Sequence, residues 1–193
     1  VEHVDGQFIR QWFNDNDGIL YKPSGETGSL RWLGDDAARY RGLDPQRGAT
    51  ADLPQWQRLV ASIGERPNTD PLEEILDVDI ALRYIAAVAT LGTLDSYIGP
   101  AHNYYLYALN DRFTVIPWDF NGAFGIFNCG CDRDAIIGFA LDEPTCWQVD
   151  ERPLVRRLMA NDAWKQTYRS YVLQILDGPL AAETFAEKVQ GVA

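Results

Sequence analysis

The sequence predicts an α+β domain, mostly helical, with a small antiparallel β-hairpin past the middle of the chain. Three observations lead there. Apolar residues recur at helical spacing over long stretches, as at Ile80, Tyr84, Ala87, Val88 and Leu91. Two β-rich runs, Tyr104–Leu109 and residues 113–118, flank the polar turn Asn110-Asp111-Arg112. Gly-Pro pairs at Gly99-Pro100 and Gly178-Pro179 punctuate the helical and loop segments.

Taken in order, residues 1–4 read as a short apolar strand end. Residues 5–13 then read as a helix, because Phe8, Ile9, Trp12 and Phe13 share one face. Asn14 to Gly18 is a turn-forming cluster. It lacks the glycine and glutamate positions of a calcium loop. Residues 19–23 read as a short strand, and the Lys22 ammonium there faces a phosphate, an acidic group or solvent. The glycines at 25, 28 and 34 lack phosphate-loop spacing. Residues 35–46 look loop-like with some helix. Asp52 and Pro54 open a helix to residue 62 with Leu53, Trp56, Leu59 and Val60 on its apolar face. A short helix over 71–76 precedes a longer one over 77–91. Asp77 and Asp79 suit the positive end of that helix better than a metal site.

Gly92-Thr93-Leu94 ends the helix and delivers Asp95 into a loop, and His102-Asn103 leads into the hairpin. Centring the turn on Asp111 sets Asn103 opposite Asp119. Opposed residues have Cβ atoms roughly 4.5–5.5 Å apart. A carboxamide and a carboxylate side by side are hard oxygen ligands suited to Mg²⁺. Asp119 follows a buried apolar strand directly, and a charge there needs a partner such as a cation. The segment after Asn121 is rich in glycine and loop-like. Helices follow over 151–160, 162–176 and 180–192, as scaffold.

The chain carries 28 acidic and 17 basic residues, a net charge of −11. That balance argues against general nucleic-acid binding, which needs a basic footprint. It suits a basic protein substrate through long-range attraction. No run of about 18 apolar residues reads as a membrane span, and no signal-peptide pattern appears at the start. Cys129, Cys131 and Cys146 make a poor zinc pattern. Cys146 paired with either neighbour leaves one thiol over, and three free cysteines are the alternative.

An Asp, an Asn and a second Asp spread over helix end, loop and hairpin are the working set of a kinase C-lobe. The words LDSYIGPAHNYYLY and FTVIPWDFNGAFG, with DGILYKP before them and ERPLVRRLM after, resemble the CotH family of atypical kinases, first known from bacterial spore coats. The resemblance implies one kinase-like domain portion over residues 1–193, a C-lobe with the N-lobe largely absent. It implies ATP and Mg²⁺, with transfer of the γ-phosphate to protein Ser or Thr. Asp95 is then the catalytic base. Asn103, Asp119 and Asn121 are the metal ligands. The backbone of Glu2, His3 and Val4 faces the nucleotide base. It also implies an extracellular or spore-surface location, which a disulfide would suit. The chain departs from protein-kinase spacing, since Asn103 follows Asp95 by eight residues rather than five. Asn121 stands where many relatives carry Asp. A surface or adhesion module on the same fold, or nucleotidyl transfer to protein, are the competing readings.

Overall fold

The computed structural model describes residues 3–15, 17–43, 45–47 and 50–191. Helix α1 (Gly6–Phe13) starts where the Asp5 carboxylate accepts hydrogen bonds from the backbone N–H groups of Gln7 and Phe8. Strand β1 (Ile19–Tyr21), the short helix α2 (Gly25–Gly28) and strand β2 (Pro45–Arg47) follow. Helices α3 (Leu53–Ile63), α4 (Leu72–Ile75) and α5 (Val78–Thr90) lead to the hairpin of β3 (Tyr104–Leu109) and β4 (Arg112–Pro117). Helices α6 (Arg133–Ile137), α7 (Pro153–Ala160), α8 (Asp162–Asp177) and α9 (Ala182–Gln190) complete the chain. The mixture of helices with a small antiparallel sheet is the α+β class that the sequence predicts.

The sheet is larger than a hairpin. It has four antiparallel strands in the order β2-β1-β3-β4. Residues 104–108 are buried without a break because both faces of β3 are covered. Tyr104, Leu106, Phe113 and Val115 enter the main core with α3, α5, α7 and α8. Tyr105, Tyr107, Ile116 and Leu20 form a second cluster on the other face, closed by Val4 and Ile9. Trp12 departs from the expected apolar face of α1, since it is 63% exposed. His3 and Val4 are not in a strand, although the Val4 side chain is buried. Val1 and Glu2, predicted as part of that strand and of the base-facing segment, lie outside the described residues.

The hairpin register differs by one residue from the expected pairing. Tyr104 faces Pro117 and Leu109 faces Arg112, so the loop contains Asn110 and Asp111 alone. Both have positive φ, 49° and 63°. That is the two-residue turn whose twist matches the strands, and Asn and Asp tolerate it. Arg112 therefore belongs to β4, and Asn103 does not oppose Asp119. A one-residue shift moves every side chain to the other face.

Three tyrosines fix the junction between α5, the loop after it and β3. The Tyr84 hydroxyl accepts from the Tyr97 N–H, Tyr97 donates to the Ser29 carbonyl and Tyr104 to the Gly28 carbonyl. The Tyr97 and Tyr104 rings meet edge to face at 5.5 Å. Burial pushes all three phenols above their ordinary range. A folded pKa above the unfolded value means that the neutral forms stabilise the fold below about pH 10 and that this contribution is lost as pH rises beyond it. In an alkaline titration, tyrosinate absorbance from these rings should therefore appear together with loss of helical circular dichroism. Ionisation of all the tyrosines well before unfolding would contradict their burial.

Candidate functional site

The loop between α5 and β3 is built to hold one conformation. The Thr93 N–H reaches back to the Val88 carbonyl at 2.9 Å, and the Ser96 hydroxyl caps the Thr93 carbonyl at 2.6 Å. Gly99 allows a close crossing, because a Cβ there would lie 1.9 Å from the Leu94 carbonyl oxygen. From the far end of the chain, the buried Arg152 guanidinium donates to the carbonyls of Tyr97 and Gly99, and to that of Glu151, while it stacks on Trp147. The Cys146 N–H donates to the Ile98 carbonyl at 2.9 Å. Cys146 is disulfide-bonded to Cys129, with Cα atoms 6.3 Å apart, and Cys131 is the remaining thiol. Of the two pairings open to Cys146, the fold uses the one whose partner packs on Gly99.

Asp95 projects from this loop, partly buried. Its Oδ1 lies 2.5 Å from His102 Nε2. The Asn103 amide nitrogen donates to the Asp95 backbone carbonyl at 2.8 Å and to Asp95 Oδ2 at 3.1 Å. Both oxygens of the carboxylate are thus oriented, and the Asn103 carboxamide oxygen makes no hydrogen bond among the described residues. Asn103 and Ala101 have φ of 54° and 60°, which turns the chain sharply into β3. Asn103 meets Asp95 through this turn and not through a cross-strand pair.

Asp119 leaves β4 in the left-handed region, φ 48°, and opens a single 3-10 turn, Phe120–Gly122. The segment beyond docks beneath Asp95. The Phe124 N–H bonds the Leu91 carbonyl at 2.7 Å and the Gly125 N–H bonds the Gly92 carbonyl at 3.2 Å. A Cβ on Gly122 would come within 3.2 Å of the Asp95 Cβ, so glycine lets the two segments touch. Asp119 Oδ1 is buried and has no hydrogen-bond partner among the described residues. Buried carboxylate oxygens are nearly always paired, so this one calls for a ligand. Asn121 is exposed. The predicted residues Asp95, Asn103 and Asp119 therefore lie on two segments in direct contact, with His102 added to them. His3 is exposed and distant from them in sequence.

Residues 1–193, the whole chain, match the family model described as CotH kinase protein. The chain belongs to the CotH kinase family. No curated protein matches its sequence.

Among the described residues of this CotH-family chain, no three His, Cys, Asp or Glu side chains converge on one point. The candidate donors to a cation are the Asn103 amide oxygen and the buried oxygen of Asp119. Both are hard oxygen donors, a type that suits Mg²⁺ better than a soft metal. Sequence reasoning passed over Arg152, which it read as scaffold. An arginine is normally exposed, and two of the carbonyls that satisfy this buried one, at residues 97 and 99, lie far away in sequence. Sequence reasoning also gave His102 no role beyond leading into the hairpin, whereas the fold places it on Asp95.

Proposed function

We propose that this site performs Mg²⁺-dependent transfer of the ATP γ-phosphate to a protein Ser or Thr hydroxyl. The observation that carries the reading is the buried, partnerless Asp119 oxygen on a segment packed against an Asp95–Asn103 pair. Membership of a kinase family supports it. Asp119 and the Asn103 oxygen would hold Mg²⁺, with the exposed Asn121 as a further neutral donor. The ion, when bound, neutralises charge on the phosphate oxygens. Asp95, aligned by His102 and Asn103, accepts the proton of the substrate hydroxyl. The hydroxyl oxygen then bonds to the γ-phosphorus as the bond to ADP breaks. Val4, whose side chain is buried in the second cluster, would present its backbone to the base. The His3 carbonyl already accepts from the Asp5 N–H at 3.1 Å, so His3 offers less. The acidic chain suits a basic acceptor segment. A spore-coat family and a disulfide support an extracellular or spore-surface location.

Exposed apolar side chains on the segment after Asp119, Phe124 at 62% and Ile126 at 80%, favour a binding module as the second reading. Labelled ATP separates the readings. Label from the γ-phosphate should pass to a Ser-rich basic protein, and Asp95→Asn should slow the transfer by about 10²–10⁴-fold, the usual worth of a positioned base. Label passing from the α-phosphate would mean nucleotidyl transfer, and none from either would favour the binding module.

A further inference from the structure

Lys22 is held by two aromatic rings at the end of the sheet where the candidate ligands lie. Its Nζ is 5.2 Å from the centroid of Tyr105 and 5.2 Å from that of Trp118. The rings themselves meet edge to face at 5.4 Å. The topology explains the placement. Lys22 directly follows β1, whose Tyr21 pairs with Leu106, so its neighbour on the next strand is Tyr105. Tyr105 lies two residues after Asn103, and Trp118 directly precedes Asp119. One cation is thus fixed between the neighbours of both proposed metal ligands.

Among the described residues, Lys22 makes neither a hydrogen bond nor an ion pair, in a chain with 28 acidic residues. Ring faces orient an ammonium without neutralising it. All three of its N–H donors remain available. Lys22 is also only partly exposed, so its stem is packed and its head is not free to wander. A partly desolvated, pre-oriented ammonium with no ion pair among the described residues, held against the sequence neighbours of the candidate ligands, is suited to an anion with several oxygens.

We infer that Lys22 binds the phosphate chain of the nucleotide, from the side of the sheet that carries Tyr105 and Trp118. The inference rests on the phosphotransfer reading above and adds to it a cation supplied by β1. It gives the site a positive charge opposite the carboxylates of Asp95 and Asp119, and this favours the polyphosphate over the nucleoside.

Calorimetric titration with Mg²⁺-tripolyphosphate, Mg²⁺-ATP and adenosine tests it, with wild type, Lys22→Gln, Lys22→Arg and Asp119→Asn compared. Lys22→Gln should weaken both phosphate ligands about tenfold and leave adenosine unchanged, the scale of one charge-assisted contact. Lys22→Arg, which also sits over aromatic rings, should recover most of the loss. If Lys22→Gln binds tripolyphosphate as wild type does while Asp119→Asn does not, the role of Lys22 is overturned and the phosphotransfer reading stands. If wild type binds neither phosphate ligand, both fall. Unfolding curves without ligand show whether Lys22→Gln folds. If it does not, Lys22→Arg must bind as wild type does, and weak binding by a folded Lys22→Arg would count against a simple charge contact.

Discussion

Asp119→Asn should abolish phosphotransfer and at the same time leave the ligand-free protein as stable as wild type or more so. The two effects have one origin. Asp119 Oδ1 is buried with no partner among the described residues, and an unsatisfied buried polar atom costs about 1–3 kcal/mol. Asn has the same shape and no net charge, and it tolerates the left-handed φ of 48° at this position. Removing the charge therefore relieves part of that cost, by about 1 kcal/mol. The same change removes the charged member of the proposed ligand set. Loss of transition-state charge stabilisation of this kind costs about 10²–10³-fold in rate, and failure to hold the ion would cost more. Urea unfolding and a γ-phosphate transfer assay on the same preparations check the pair of outcomes. A destabilised variant that kept its activity would mean that Asp119 is structural.

The second large effect is expected at Arg152. The guanidinium is 5% exposed and donates to the Tyr97 and Gly99 carbonyls of the loop that carries Asp95. No carboxylate partner is seen for it among the described residues, and its charge is distributed over carbonyl dipoles and the Trp147 ring. Burial draws its pKa down, but from so high a starting value that it stays charged. Arg152→Ala would strand those two carbonyls in the interior and leave a void. The expected loss is about 3–5 kcal/mol of unfolding free energy. Arg152→Lys should restore little, since a single ammonium does not reproduce the planar fork that spans two carbonyls. Denaturant titration measures both. A loss under about 1 kcal/mol for Arg152→Ala, the scale of a surface change, would show that the other ties on the loop suffice. Arg152→Lys, if folded, should also transfer phosphate more slowly at saturating substrates, because Asp95 lies two residues from Tyr97.

These two residues mark the range of what the sequence disclosed. Asp119 was legible because a charged residue directly after an apolar strand is anomalous by itself. The hairpin was legible from its two β-rich runs and its polar turn. Its register was not, because the loop length depends on positive φ at Asn110 and Asp111, a conformation that Asn and Asp permit but do not announce. Strand β2 was hidden by its residues, Pro45-Gln46-Arg47, which are poor strand formers and owe their state to β1. Cysteine spacing left Cys129 and Cys131 open as partners of Cys146, and the packing of Cys129 on Gly99 decides between them. The contact of Asp95 with His102 and Asn103 depends on two left-handed residues in one short loop, for which Ala101 gave no signal.

The central claim is that Asp119 and its neighbours bind Mg²⁺ together with the phosphates of ATP. Thermal unfolding with Mg²⁺-ATP, of wild type against Asp119→Asn, tests it most directly. Ligand at a hundredfold excess over its dissociation constant should stabilise the wild type by about 2.7 kcal/mol, and the shift should vanish on chelation of the metal and in Asp119→Asn. An equal shift in both proteins, or one indifferent to Mg²⁺, would contradict the claim.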